Sequence, residues 1–279
     1  MILILMTILT TLSSCQRDEE EPTGETEILY TMPEESETHE GTWLQWPHHY
    51  QYGKAYRNSL DATWVSMVKE LVSSEKVHII ASIMINEGGS VEIDGHGTLM
   101  ACKSSILNDN RNPGMTQSQA ESIFKKYLGV TNFIWLDGQA GLEITDQHID
   151  GFARFGHSNT IVTMGKNDLL YYDVQQSDID KLYAAKNKNG TSYTFLKVPL
   201  TQNNVTTTNG TNLGYKGSYV NYYISNNRIL VPNYNDPNDT TANAIIQTLY
   251  PNRIAIGIDV RNLYENGGMI HCVTQQQPE

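Results

Sequence analysis

The chain has 279 residues, 39% of them hydrophobic, enough for one large packed domain, and no stretch in its middle reads as a linker between independent cores. Its formal net charge of -12 argues against a nucleic-acid partner and is compatible with drawing in small cations, although an acidic excess is ordinarily solvated surface. Three cysteines, Cys15, Cys102 and Cys272, with no CxxC and no zinc-type His/Cys spacing, imply neither a disulfide framework nor a metal.

Residues 1–15 read as a targeting segment, because the apolar run from Ile2 to Leu12 is short for a membrane span and leads into Leu12-Ser13-Ser14-Cys15. It resembles a bacterial lipoprotein signal. That resemblance implies lipidation of Cys15, a flexible acidic tether over 16–27 and a place in the cell envelope, lipid-anchored or periplasmic, with the folded domain covering 28–279. Thr42-Trp43-Leu44-Gln45-Trp46-Pro47 supplies the first strand-like cluster. Asn58 or Ser59 is expected to cap a helix in which Leu60, Trp64, Met67, Val68, Leu71 and Val72 recur at helical spacing. Val77 to Ile83 reads as a buried strand. Thr116 to Gln119 has the form of a capping box opening a helix through Leu128, with Gly129 at the C-cap and a strand at Phe133 to Leu136.

In the second half, strands are expected at Thr160 to Met164, Tyr193 to Val198, Tyr219 to Ser225, Arg228 to Val231 and Arg253 to Val260. A tight Asn226-Asn227 turn, where asparagine tolerates positive φ, joins two of them. Asp239 or Thr240 caps a helix through Leu249, and the polar Thr201 to Thr211 stretch reads as an exposed loop. The class is α/β with mixed strand pairing.

Three local patterns carry reactive groups. In an extended segment Asp146, His148 and Asp150 fall on one face at two-residue spacing, which suits a histidine held between carboxylates for acid and base work. Glu87-Gly88-Gly89 and Gly267-Gly268-Met269-Ile270-His271-Cys272 are glycine turns that bring an acid and a thiol close to a ligand. Each alone is better explained as surface, turn or core. Together they match attack on a flat, cationic guanidinium, which carboxylates bind through its N–H donors while a thiolate reaches its carbon. In that reading Cys272 attacks through a thiouronium intermediate, and His148 protonates the departing ammonia and then activates water. Asp150 and Glu87 hold the guanidinium and the imidazole.

The runs Met32 to Glu35, His39 to Pro47, Glu87 to Gly89, Asp94 to Leu99, Asn110 to Pro113, Thr145 to Phe155 and Gly267 to Gln276 stand in an order that resembles the agmatine deiminase and bacterial-type peptidylarginine deiminase family. The resemblance implies a pentein fold, a propeller-like ring of five ββαβ units, with no metal or organic cofactor. It implies Cys272 as nucleophile, His148 as acid and base, Asp150 and Glu87 as site carboxylates, and Asn221, Gly267 and Gly268 as neighbours of the substrate. It leaves open whether the substrate is agmatine, giving N-carbamoylputrescine and ammonia for putrescine biosynthesis, or peptidyl-arginine, giving citrulline. One departure stands out. Where the family carries a long segment with an Arg-Asp-x-Gly-Pro motif, only Met84, Ile85 and Asn86 separate the strand ending at Ile83 from Glu87, so about one repeat and one substrate carboxylate are absent. Asp94 and Glu143 are the acids available as replacements. The competing reading is an inactive, internally deleted member that at most binds guanidines; a papain-like hydrolase fits the Gly-Gly setting of Cys272 less well.

Overall fold

The computed structural model describes residues 33–45, 54–80, 87–108, 112 and 114–278. Cys15 with its signal and tether, the Trp46-Pro47 end of the first strand, residues 81–83 of the second, and the Met84-Ile85-Asn86 junction lie outside them.

The described chain repeats one unit, an antiparallel strand pair extended by a parallel strand that returns after a helical crossover. In the first, β1 (His39–Gln45) runs through α1 (Lys54–Leu71) into the parallel β2 (Lys76–Ile80), and its other edge pairs with the last strand, β14 (Thr274–Pro278). The two ends of the described chain therefore share a sheet. β3 (Val91–Ile93), β4 (Thr98–Cys102), α2 (Lys103–Ile106), α3 (Gln117–Leu128) and β5 (Asn132–Leu136) form the second unit. The third comprises β6 (Ala153–Gly156), β7 (Thr160–Thr163), α4 (Lys166–Tyr171), α5 (Gln176–Tyr183) and β8 (Thr194–Lys197). A hairpin, β9 (Leu200–Thr206) and β10 (Asn212–Ser218), precedes the fourth, built from β11 (Tyr223–Ile224), β12 (Arg228–Asn233), α6 (Asn238–Leu249) and β13 (Ile254–Asp259). α7 (Arg261–Tyr264) then leads to the final turn. The described residues thus hold four such units and a hairpin, against the five units that the resemblance implies.

Local chemistry explains the boundaries. Thr116 Oγ1 accepts from the Gln119 amide at 3.3 Å, Gln119 Oε1 accepts from the Thr116 amide at 2.9 Å, and Gly129 ends α3 at φ 66°. α1 begins at Lys54, a turn ahead of the expected cap, and buries Leu60, Trp64, Met67 and Leu71 along one stripe.

Several expectations need correction. Among the described residues β2 is an outer strand rather than a buried one, paired only with β1 and leaving Ile79 49% exposed. Thr201 to Thr211 is mostly the first strand and turn of the β9–β10 hairpin, closed by Thr207 N donating to Thr211 O at 2.9 Å. Its polar character reflects a mostly wet ribbon in which Leu200, Thr201 and Val205 are buried and Gln202 to Asn204 are exposed, while threonine and valine still favour extended backbone. Between Tyr219 and Ser225 only Tyr223 and Ile224 are strand; the rest is buried irregular chain that delivers Asn221 to the site described below. The Asn226-Asn227 turn exists, yet neither asparagine has positive φ. It is held by Ser225 N donating to Arg228 O at 2.9 Å and by Asn226 bonding both backbone groups of His39.

Candidate active site

Cys272 sits in a short 3-10 turn, His271–Val273, immediately before β14. Gly267, at φ 80°, turns the chain after α7, and Met269 and Ile270 anchor it in the core. Asn221 clamps this turn. Its Oδ1 accepts from the amides of His271 at 2.8 Å and Cys272 at 3.4 Å, while Nδ2 donates to Cys272 Sγ at 3.2 Å and to the Asp150 carbonyl at 3.3 Å.

Asp150 lies in the 3-10 turn Ile149–Gly151 and is 1% exposed. Its Oδ2 is 2.8 Å from His271 Nδ1 and accepts from Cys272 Sγ at 3.5 Å, whereas Oδ1 has no hydrogen-bond partner. Gly89 packs against this carboxylate so closely that a Cβ there would stand 2.3 Å from Asp150 Oδ2. Gly89→Ala should therefore displace Asp150, and any reaction that uses this carboxylate should slow about 100-fold, the usual cost of misplacing a reacting group by an ångström. Steady-state rates within threefold of the parent would contradict this.

The expected shared face of Asp146, His148 and Asp150 is absent. Asp146 and Gln147 adopt φ 58° and 67°, breaking the alternation, and Asp146 Oδ1 accepts from Gly141 N at 2.5 Å. Asp146 thus ties up its own loop, while His148, with Nε2 3.6 Å from Glu87 Oε2, remains beside Asp150. A cavity of ≈ 350 Å³ is lined by Cys272, His148, Asp150 and Gly267 together with Tyr172 and Glu143. Glu87 and Gly88 border a neighbouring cleft of ≈ 800 Å³ that also reaches His271, Glu35 and Glu92. Gly268 lines neither.

Of the two acids considered as replacements, Asp94 is committed to structure: Oδ1 accepts from the His96 and Thr98 amides at 2.8 Å each, and Oδ2 from Tyr193 OH at 3.1 Å. Glu143 is exposed on the rim of the smaller cavity. Cys102 is fully buried in β4 and packs in the core away from the cavity lining, its thiol pushed well up by burial. No group of three or more His, Cys, Asp or Glu side chains is placed to hold a metal ion among the described residues.

His271, Arg154, Glu35 and Glu92 complete a buried charge ladder that sequence reading did not assemble. Arg154 donates from Nη2 to Glu35 Oε2 at 2.6 Å, from Nε to Glu92 Oε1 at 2.7 Å and from Nη1 to the Tyr222 carbonyl. His271 Nε2 lies 3.6 Å from Glu35 Oε1 and 3.7 Å from Glu92 Oε1. The adjacency of His271 to Cys272 was visible. The Arg154 partners, 119 and 62 residues away, carried no local signal.

Electrostatics follow from this packing. Burial opposes ionisation of Asp150, but the hydrogen bond and charge of His271, aided by His148 and Arg154, hold its carboxyl below the ordinary range. Burial and Arg154 oppose protonation of His271, and Glu35, Asp150 and Glu92 outweigh them, so its pKa is raised. Burial, then Asp150, pushes the Cys272 thiol well up, against the lowering contacts of the Met269 backbone and Asn221. The His271 contribution to stability is complete below about pH 6.5 and is lost as pH rises through the higher folded value. That of Asp150 is present above about pH 3.9 and lost as pH falls through its lower folded value. The thermal midpoint should accordingly decline from about pH 6 to about pH 8. His39, held by Glu75 with a raised pKa, adds in the same sense, so the decline should shrink rather than vanish in His271→Gln. An unchanged slope in that variant would refute the linkage.

The Porphyromonas-type peptidyl-arginine deiminase profile matches residues 31–84 and 80–278, two stretches that overlap at 80–84. A provisional agmatine deiminase of Latilactobacillus sakei is 36% identical over 211 residues, 70% of this chain and 58% of that protein. One of Streptomyces avermitilis is 30% identical over 250 residues, 85% of this chain and 66% of its own. The chain thus spans less than two thirds of the length of these relatives. Among solved structures, a provisional arginine deiminase of Porphyromonas gingivalis superposes with a TM-score of 0.74 at 21% identity, covering 88% of this chain and 97% of the other. The agmatine deiminase of Enterococcus faecalis gives 0.69 at 20%, covering 89% and 96%. The chain belongs to the Porphyromonas-type peptidyl-arginine deiminase family, and it shares the α/β fold of the agmatine deiminases.

Proposed function

We propose that the protein hydrolyses the guanidinium group of a small cationic substrate, agmatine first among them, to a carbamoyl product and ammonia. The observation that carries this is the convergence of Cys272 Sγ, the partnerless Asp150 Oδ1 and His148 on one cavity. The resting sulfur is a thiol, since burial and Asp150 disfavour its anion. A guanidinium seated against Asp150 supplies the missing positive charge beside Sγ, and the thiol proton passes to His148. His148 Nε2 stands 3.6 Å from Glu87 Oε2, and the ring then carries the proton for the departing ammonia. Sγ then bonds the central carbon, and the C–N bond breaks as His148 protonates the departing ammonia. The covalent thiouronium is opened by water, which gives a proton to His148 as oxygen bonds the carbon, and collapse returns the C–S electron pair to sulfur.

Sequence similarity to agmatine deiminases favours agmatine over peptidyl-arginine. The test is incubation of the purified protein with agmatine and, separately, with an arginyl peptide, measuring ammonia and the ureido product together. Equal amounts of the two from agmatine are expected. Absence of both, with agmatine still bound in calorimetry, would select the second reading, an internally deleted member without turnover. The ≈ 800 Å³ cleft beside Glu87 and His271 favours that alternative, because water at the site weakens every charge contact. For location, we propose lipidation at Cys15 in the cell envelope. Fatty-acid labelling should mark the parent and not Cys15→Ala, and an unlabelled parent would end the proposal.

A further inference from the structure

Among the described residues Asp150 is the one buried carboxylate lining the cavity of Cys272, and its two oxygens have different duties. Oδ2 lies 2.8 Å from His271 Nδ1 and accepts the long Cys272 contact at 3.5 Å, while Oδ1 has no hydrogen-bond partner. The opposite nitrogen of the same ring, Nε2, stands 3.6 Å from Glu35 Oε1 and 3.7 Å from Glu92 Oε1. An imidazole with acids at both nitrogens, its side chain 11% exposed, is held with a hydrogen on each, as the imidazolium. Arg154 cannot take its place. That guanidinium is spent on Glu35, Glu92 and the Tyr222 carbonyl, one positive charge for two buried acids, and His271 supplies the second.

Resting on the deiminase reading above, we propose that His271 is a positioning residue: pinned as a cation between Asp150 and the pair Glu35 and Glu92, it keeps Asp150 charged with Oδ1 free for the guanidinium, and so sustains substrate binding in acid. A carboxylate that is 1% exposed takes up a proton unless a cation stays beside it. Burial does oppose the charge of Asp150, and the hydrogen bond and charge of His271 are the strongest influences against burial. His148, which caps the same turn with Glu87 at 3.6 Å, and Arg154 from β6 act in the same sense but less. Without His271 the Asp150 carboxyl therefore moves up, and guanidinium affinity is lost as pH falls through the raised value. His271 itself lies outside the lining of the cavity and acts through Asp150.

The experiment measures agmatine binding by calorimetry from about pH 8 to about pH 5 on Cys272→Ala, and on Cys272→Ala with His271→Gln, whose amide keeps a donor for Asp150 and drops the charge. The two affinities should differ by less than about threefold at the alkaline end and by about tenfold or more at the acidic end, the worth of a hydrogen bond to a charged group. Protonation of His148 repels the guanidinium equally in both proteins, so their ratio isolates His271. A merely structural role would lower affinity by one factor at every pH. That result, an unchanged affinity, or no binding by either protein would overturn the proposal. Nitrogen NMR of the parent needs no variant to fold: both His271 ring nitrogens should carry hydrogen at about pH 6, and a bare nitrogen there would equally overturn it. Turnover is read separately, as ammonia from the parent. No ammonia, with the pH-dependent split intact, refutes the hydrolysis and leaves the role of His271 standing; ammonia with a uniform loss does the reverse.

Discussion

On the hydrolysis proposed above, Cys272→Ala is expected to lower ammonia release from agmatine by at least about 10⁴-fold, to the background of the reagents, while agmatine still binds. Cys272 is the only cysteine lining the cavity among the described residues. Cys102 is fully buried in β4, with its thiol pushed well above the ordinary range by burial and by Asp178 and Asp150, so it cannot stand in. The fold should be nearly indifferent to the change. Sγ is a half-buried group that accepts one amide hydrogen from Asn221 and donates one long contact to Asp150, and both partners keep other bonds. Asp150, relieved of the thiol, remains bound to His271, so guanidinium affinity should change by less than about threefold. Ammonia release within tenfold of the parent, or loss of cooperative unfolding, would refute the assignment of Cys272 as nucleophile.

What was legible beforehand follows the range of the interactions. The α3 capping box, with its Gly129 stop, is written within fourteen consecutive residues, and backbone geometry alone enforces it. Cys272 could be singled out by its glycine-turn setting and Asn221 only by the family resemblance, yet the amide contacts that join them span about fifty residues and depend on the irregular path of 219–225. The alternation argument for Asp146, His148 and Asp150 failed because two consecutive residues with positive φ reset the direction of the chain. The stretch 201–211 was misjudged because composition marked it polar and Val205 is its one apolar residue, so no alternation announced the strand. Least legible of all was Arg154. Its position inside the apolar β6, with 1% exposure, is tolerable only because Glu35 and Glu92 arrive from other units.

That dependence sets the largest stability change. Arg154→Met should destabilise the protein by about 3–5 kcal/mol at neutral pH, the cost of leaving buried charges without their partner. Methionine fills much of the volume, so the loss is electrostatic rather than a cavity. Glu35 and Glu92, 7% and 5% exposed, would retain His271 as their remaining cation, and the Tyr222 carbonyl would lose its donor. Burial already raises the Glu92 carboxyl despite Arg154, and removing the arginine raises it further. A carboxyl whose folded pKa exceeds its unfolded value costs stability above the unfolded range and ceases to do so once protonated. The deficit of Arg154→Met should therefore narrow as pH falls toward about 5. Adding Glu92→Gln to Arg154→Met should recover part of the loss, since the neutral amide no longer needs a counter-charge. Urea unfolding of the parent, the single variant and the pair at two pH values measures all three statements. A deficit below about 1 kcal/mol, or one that widens in acid, would mean that Arg154 holds these units together through packing and not through charge.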